Sequence, residues 1–173
     1  MINLKYYISQ IKAEVKYFPK TLKYLFSIKK KAIYIGCTDQ GNLGDEAILQ
    51  AVALMLKSDF HLYVVSYLKP SSGKYLRKLF IKNPHCIILG GGTIIRKGAN
   101  ESYLKILNDS LKLWPKAKVA TLGPGVSEPY FADFIGFPID IEGWKKFLNT
   151  SNFISVRGIR SKLLLDNWNL NKE

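Results

Sequence analysis

The chain has few cysteines and no long apolar run. Its two cysteines cannot build a disulfide framework, because Cys37 is predicted to end one parallel strand and Cys86 to begin another. Free thiols of this kind are expected in a reducing cytoplasm. No stretch of about eighteen apolar residues occurs, and the first residues lack the apolar core of a secretion signal. We therefore expect a cytoplasmic protein that neither spans a membrane nor is exported.

Acidic residues are also scarce, with 13 Asp and Glu against 26 Lys and Arg, which gives a net charge of +13. The electrostatic field of so high a positive charge attracts nucleic acid, acidic lipid or a phosphorylated substrate. Residues 1–31 hold eight lysines and one acid, Glu14, so this segment alone carries +7. It has no recognised nucleic-acid motif and is rich in lysine rather than arginine, so we expect no specific nucleic-acid partner.

Residues 1–31 are predicted to form a basic helical appendage. Apolar residues recur there at alternating spacings of four and three: Leu4, Ile8, Ile11, Val15, Phe18, Leu22 and Leu25. Pro19 interrupts the pattern and predicts two shorter helices. Two interpretations are open, since the stripe can pack on the protein's own body or lie on an anionic membrane surface, at the inner face of the membrane.

Residues 32–173 alternate short apolar runs with helical patterns, which predicts an α/β fold with a parallel sheet and crossover helices. Strands are predicted at 32–37, 62–67, 86–89, 119–122 and 153–156. Helices are predicted at 45–57, 72–81, 102–113, 142–148 and 160–167. This order corresponds to one Rossmann-like domain, and the length leaves no room for a second full domain.

The loop after the first predicted strand holds Gly41, Asn42, Gly44 and Asp45 and leads directly into an apolar helix. Ligands of open parallel sheets bind at the carboxyl ends of the strands, near helix N-termini, so this loop is a candidate binding element. Its glycine spacing is not the dinucleotide fingerprint, and no phosphate-binding Gly-Lys-Ser/Thr follows. Asn42 and Asp45 also have a purely structural interpretation, as a helix cap and a first-turn acid.

Three further loops follow strand ends. Gly90, Gly91 and Gly92 precede Thr93, and three successive glycines indicate either a concave backbone site or a close crossing against the first loop. A second small-residue loop covers 123–125. Arg157 ends the last strand and is the best single candidate for contacting a carboxylate or phosphate, whereas Arg160 suits a solvated or capping role.

Metal and serine-nucleophile chemistry are not indicated. His61 and His85 are predicted to precede the second and third strands, at the edge opposite the candidate site. No group of His, Cys, Asp and Glu has metal-ligand spacing, and no Gly-x-Ser-x-Gly occurs. We therefore predict no metal site.

Three motifs in sequence resemble the polysaccharide pyruvyl transferase family. They are Gly41-Asn42-Leu43-Gly44-Asp45-Glu46-Ala47-Ile48-Leu49, then Leu89-Gly90-Gly91-Gly92-Thr93, then Ile154-Ser155-Val156-Arg157 with Ser161, and Gly123-Pro124-Gly125 lies between the last two. The residue types, the order and the spacing of these motifs all match those of the family, over about residues 32–168. Members commonly have an acid after the strand-end arginine, where this chain has Gly158.

The resemblance implies transfer of the pyruvyl group of phosphoenolpyruvate to a glycan or lipid-linked sugar, with no cofactor beyond this donor substrate. It also implies the N-terminal half of a two-domain architecture similar to B-type glycosyltransferases. The C-terminal domain would begin near Glu173, so the chain would supply half of the site.

The resemblance further implies that Arg157 holds the donor and that Asp45 is the acid or base, with Asn42, Gly44, Gly91, Gly92 and Thr93 positioning the ligand. A glycosyltransferase of related architecture and a non-catalytic or split binding module are the alternatives.

Overall fold

The computed structural model describes residues 4–38, 41–66, 81, 83–96 and 103–170. In chain order the strands are β1 (Lys30–Gly36), β2 (Phe60–Ser66), β3 (Cys86–Gly90), β4 (Thr93–Ile95), β5 (Lys118–Leu122), β6 (Gly125–Val126) and β7 (Phe153–Ile154). Five of them form an all-parallel sheet in the order β2-β1-β3-β5-β7, and β4 pairs with β6 in a small parallel sheet. The predicted α/β fold with a Rossmann-like parallel sheet is confirmed.

The helices are α1 (Leu4–Leu25), α2 (Leu43–Leu56), α3 (Tyr103–Leu113), α4 (Pro129–Phe134), α5 (Ile141–Thr150) and α6 (Gly158–Asp166). Four of the predicted helices correspond to α2, α3, α5 and α6. The helix predicted at 72–81 lies outside the described residues except for Ile81. The short helix α4 was not predicted, although Pro129 at its first position is a typical helix start.

The sheet is buried on both faces, which explains the nearly continuous apolar runs of its central strands. In β1, Ile33 and Ile35 point into the larger core, together with Leu107 of α3 and Trp144 of α5. The intervening residue Tyr34 and its neighbours belong to a second cluster that packs against α2: Ala32, Tyr34, Val52 and Ile88. The alternation of side chains along β1 thus divides one apolar run between two layers.

Each predicted strand differs from the observed one by one or two residues at one end or both, and two of these differences change an expectation. The last strand was predicted to reach 156, but β7 ends at Ile154, because Gly123 after β5 leaves strand geometry with a φ of 72°. The N–H of Gly123 still donates to the carbonyl of Ser155 at 3.2 Å, so the chain after β7 stays beside the loop after β5. β2 begins at Phe60, so the prediction that His61 precedes the strand was wrong. His61 and His85 nevertheless lie near the amino ends of β2 and β3, opposite the carboxyl edge of the sheet.

Pro19 does not divide the N-terminal segment, and α1 runs as one helix from Leu4 to Leu25. The prediction of two shorter helices was therefore wrong. Proline removes one helical hydrogen bond and bends a helix, but Phe18 and Pro19 are exposed, so water can reach the carbonyl that loses its partner. A helix whose outer side is solvated tolerates this change better than a buried one.

The end of α1 is anchored to β2. Thr21 and Tyr24 are fully buried, and the hydroxyl oxygens of Thr21 and Tyr63 lie 3.4 Å apart. The ring of Tyr24 packs edge-on against the rings of His61 and Tyr63, with centroids 5.6 and 5.4 Å away. Of the predicted apolar stripe, Ile8, Ile11, Val15 and Phe18 are exposed and do not pack on the body, whereas Leu22 and Leu25 near the anchored end are partly buried.

No helix in the described ranges is long and apolar enough to cross a membrane. Cys37 and Cys86 are both free thiols, and they stand at different ends of neighbouring strands, as predicted.

Candidate functional site

The carboxyl ends of β1, β3, β5 and β7 bring four loops together at one edge of the sheet. The loop after β3 and the loop after β5 are joined directly, because the N–H of Gly125 donates to the carbonyl of Gly92 at 2.7 Å. The N–H of Arg157 donates to the carbonyl of Pro124 at 2.9 Å, which fixes the loop after β7 against the loop after β5. The strand order therefore assembles the predicted loops into one place.

Asn42 and Asp45 form the N-terminal cap of α2. The side-chain oxygen of Asn42 accepts from the N–H of Gly44 at 3.1 Å, and its Nδ2 donates to Oδ2 of Asp45 at 2.9 Å. The structural interpretation of Asn42 as a helix cap is thus confirmed, and Asp45 lies in the first turn, where the helix dipole favours a negative charge. Asp45 is only 2% exposed.

The glycines after β3 permit a close approach to this cap. A β-carbon on Gly92 would lie 2.9 Å from Cβ of Cys37 and 3.4 Å from Oδ2 of Asp45. A β-carbon on Gly91 would lie 3.3 Å from the carbonyl oxygen of Asp45. Both glycines have positive φ, 38° for Gly91 and 81° for Gly92, which other residues rarely adopt. The close crossing against the first loop is therefore present.

Arg157 contacts both the start of β4 and the first turn of α2. Its Nη2 donates to Oγ1 of Thr93 at 3.0 Å, and its Nη1 lies 3.7 Å from Oδ1 of Asp45. The guanidinium side chain is 47% exposed, so it remains open to a further anion. Among the described residues, Oδ1 of Asp45 is buried without a hydrogen-bond partner, so this ion pair is loose.

The site residues predicted from the sequence therefore lie together. Asp45 is the buried centre, and Asn42, Gly44, Thr93 and Arg157 are exposed around it. Gly91 and Gly92 are buried beneath them, against the first turn of α2. This arrangement can hold an anion beside a buried carboxylate, with cationic charge supplied by Arg157 and by the α2 N-terminus.

Two further side chains, Cys37 and Tyr34, border the site, and neither carries a functional signal in the sequence. The thiol of Cys37 hydrogen-bonds with the Asp45 carboxylate and with Tyr103, and the charge of Arg96 acts on it. Tyr34 lies fully buried under Gly90 and Gly91, and its hydroxyl has no partner among the residues described. Burial raises the pKa of Tyr34, and the charges of Asp45 and Glu46 add to this shift.

Two motif residues have structural roles. Ser161 is buried, and its Oγ accepts from the N–H of Val126 at 3.1 Å, which ties α6 to β6. Arg160 pairs with Glu128 through two contacts of 3.0 Å at the surface, away from Asp45. The surface role predicted for Arg160 is confirmed. Across the described part of the chain, no group of three or more His, Cys, Asp or Glu residues could hold a metal ion.

The comparison with protein families matches the polysaccharide pyruvyl transferase model over residues 42–172. The chain belongs to the polysaccharide pyruvyl transferase family. In this member the match begins at Asn42, the cap of α2, and includes all the site residues predicted from the sequence, but not Tyr34 or Cys37. Helix α1 and strand β1 lie before it. The comparisons with curated proteins and with solved structures gave no match.

The surroundings of Cys37 predict a slow reaction with alkylating reagents. Burial raises the pKa of the Cys37 thiol, as do the negative charge and hydrogen bond of Asp45, while Tyr103 and Arg96 lower it to a lesser extent. Since the thiolate is the reactive form, a Cys86→Ala variant should react with iodoacetamide near neutral pH at least about tenfold more slowly than free cysteine, and faster as the pH rises. A rate equal to that of free cysteine would contradict this environment.

Proposed function

We propose that this chain transfers a pyruvyl group from phosphoenolpyruvate to a sugar of a cell-surface polysaccharide, by itself or as one half of such an enzyme. Membership of the family supports a transferase of this kind. The observation that carries the specific proposal is the contact of Arg157 with both Thr93 and Asp45 at the carboxyl edge of the sheet.

The donor carries a carboxylate and a phosphate, and both need cationic or N–H partners. The half-exposed guanidinium of Arg157 supplies planar donors that suit either group. The hydrogen bond from Arg157 to Thr93 fixes the orientation of the guanidinium group towards a bound anion. Asn42, Gly44, Gly91 and Gly92 shape the adjacent backbone, so the donor would lie over the first turn of α2.

The reaction requires proton transfer as well as binding. The methylene carbon of the enol accepts a proton, a sugar hydroxyl attacks the neighbouring carbon, and a second hydroxyl completes the ketal as inorganic phosphate leaves. Asp45 is the acid or base in this proposal, because it is the buried carboxylate beside the proposed anion site. An anion that engages Arg157 also competes with Asp45 for the guanidinium and so frees Oδ1 to exchange a proton.

The first test is binding of phosphoenolpyruvate to the purified chain by titration calorimetry. Arg157→Ala should weaken this binding by about 2 kcal/mol, roughly thirtyfold, because a charge-assisted contact is removed. Arg160→Ala is the matched control, since it removes a nearby arginine, in the first turn of α6, that is paired with Glu128. Unchanged affinity for Arg157→Ala would remove this residue from the donor site.

Two other outcomes would redirect the proposal. Binding of nucleotide sugars in place of phosphoenolpyruvate would favour a glycosyltransferase of related architecture. Binding of phosphoenolpyruvate without transfer of labelled pyruvyl to any glycan or lipid-linked acceptor would favour a non-catalytic module, or a half-enzyme that needs a partner chain.

A further inference from the structure

The exposed side of α1 carries an apolar stripe. Ile8, Ile11, Val15 and Phe18 are 44%, 63%, 68% and 42% exposed, and their spacings of three and four residues place them along one line of the helix. Because Pro19 leaves α1 as one helix, this line is not interrupted before the buried end of the helix. Four large apolar side chains in a row on a surface indicate a binding face rather than scattered exposure.

The same helix is held by a different side. Thr21 and Tyr24 are the fully buried side chains among those described in α1, and they pack against β2. At 3.6 residues per turn, they project about 120° away from the stripe around the helix axis. Anchoring the end of α1 therefore leaves the stripe directed away from the body of the protein.

Positive charge borders the stripe. Lys12 and Lys23 are exposed and project about 100° from the stripe, on the side opposite Thr21 and Tyr24. The segment up to residue 31 carries eight lysines and only one acid. Lysines beside an apolar stripe can extend towards phosphate groups while the stripe enters the acyl boundary.

The apolar surface continues past the end of the helix. Phe26 and Ile28 are almost entirely exposed, and Lys29, Lys30 and Lys31 follow directly. The ammonium groups of Lys29 and Lys31 donate to the backbone carbonyls of Lys57 and Leu25, so they stay near this surface. Apolar and cationic side chains thus alternate over a continuous region.

The charge decides between two occupants of this face. A second copy of the chain would bring another segment of +7 against the first, which repulsion disfavours. A bilayer with anionic phospholipids supplies both an apolar layer and the opposite charge, with about 1 kcal/mol gained per lysine near its surface. Since α1 is not apolar enough to cross a membrane, it would lie in the plane of the interface.

We propose that α1 and residues 26–31 dock this protein on the surface of a membrane that contains anionic phospholipids. The face lies outside the region that matches the family, and residues 26–31 lead into the amino end of β1, whereas Asp45 and Arg157 follow the carboxyl ends of strands. The proposal therefore goes beyond the proposed function and does not depend on it.

The test is co-sedimentation of the full chain with vesicles of phosphatidylcholine, alone or with about a third phosphatidylglycerol. We expect at least about tenfold stronger binding to the anionic vesicles, with the difference decreasing as salt is added. The double variant Ile11→Glu, Val15→Glu should lose at least about tenfold of this binding, because two inserted side chains become acidic.

Leu54→Glu, Met55→Glu is the matched control. These α2 residues are 71% and 61% exposed, close to the values for Val15 and Ile11, so the change in charge and apolar surface is the same. The control should bind anionic vesicles at most a few-fold more weakly than the unchanged chain. Lys12→Gln, Lys23→Gln keeps the stripe and should reduce the dependence on phosphatidylglycerol. Circular dichroism would establish that each variant is folded.

Equal binding to both kinds of vesicle, or no binding to either, would overturn the proposal. Equal loss in the α1 variant and the α2 control would also overturn it, because the effect would then reflect net charge alone. If the chain does not bind vesicles but forms a dimer, and the variant Ile11→Glu, Val15→Glu dissociates that dimer, the stripe would be assigned to contact with a second copy instead.

Discussion

Gly92→Ala should lower the free energy of unfolding by about 3 kcal/mol. Part of this cost arises because alanine is strained at a φ of 81°. The larger part arises because the new methyl would lie 2.9 Å from Cβ of Cys37 and 3.0 Å from Cγ2 of Ile94, both in a packed region. The measurement is urea unfolding of the purified variant, followed by fluorescence.

Gly136→Ala separates the two contributions. Gly136 has a φ of 73°, but a β-carbon there meets nothing within 4 Å. This control should cost only about 1 kcal/mol, the strain alone. Equal losses in the two variants would mean that the loop after β3 moves away from the first turn of α2, and that the close approach around Asp45 is not rigid.

Asp45→Asn should reduce kcat for the proposed pyruvyl transfer by about a hundredfold, with a much smaller change in KM. Asparagine has the same shape and retains an oxygen for the Nδ2 of Asn42, but it cannot exchange a proton. Phosphate release from phosphoenolpyruvate in the presence of a sugar acceptor is the measurement, at saturating donor.

Glu46→Gln is the appropriate comparison for Asp45→Asn, since it neutralises the next residue of the same helix turn. Its kcat should stay within a few-fold of the unchanged chain. An unchanged kcat for Asp45→Asn would leave Asp45 with the role of a first-turn acid in α2, and the proton transfer would have to be assigned elsewhere.

The fold was predictable because its signals are local. Apolar runs such as that of β1 and the helical pattern that follows Asn42 recur in an order that one sheet topology satisfies. Because Asp45, Thr93 and Arg157 all follow the ends of predicted parallel strands, the sequence alone was enough to predict that they lie at the same edge of the sheet. Their exact partners required the tertiary structure, because the contact between Thr93 and Arg157 joins residues 64 positions apart.

The errors also have physical causes. Pro19 is a strong local signal for a helix end, but solvent compensated for the lost hydrogen bond, and the sequence does not show which side of a helix is exposed. The pair β4 and β6 was missed because strands of two and three residues carry no periodicity. The contact of Cys37 with Asp45 was missed because a single cysteine after a strand has no distinctive pattern.

The packing of Tyr34 limits how this part of the sequence can change. Its ring occupies the space that β-carbons at positions 36 and 90 would need, since a Gly36 substituent would lie 2.7 Å from Cε1 and a Gly90 substituent would overlap the ring. A larger residue at position 90 therefore becomes acceptable only after Tyr34 has been replaced by a smaller one, whereas at position 36 the backbone carbonyl of Gly90, 2.8 Å from the new β-carbon, would still obstruct it. Homologues that have lost this tyrosine are where alanine or serine in the first position of the triple glycine should occur.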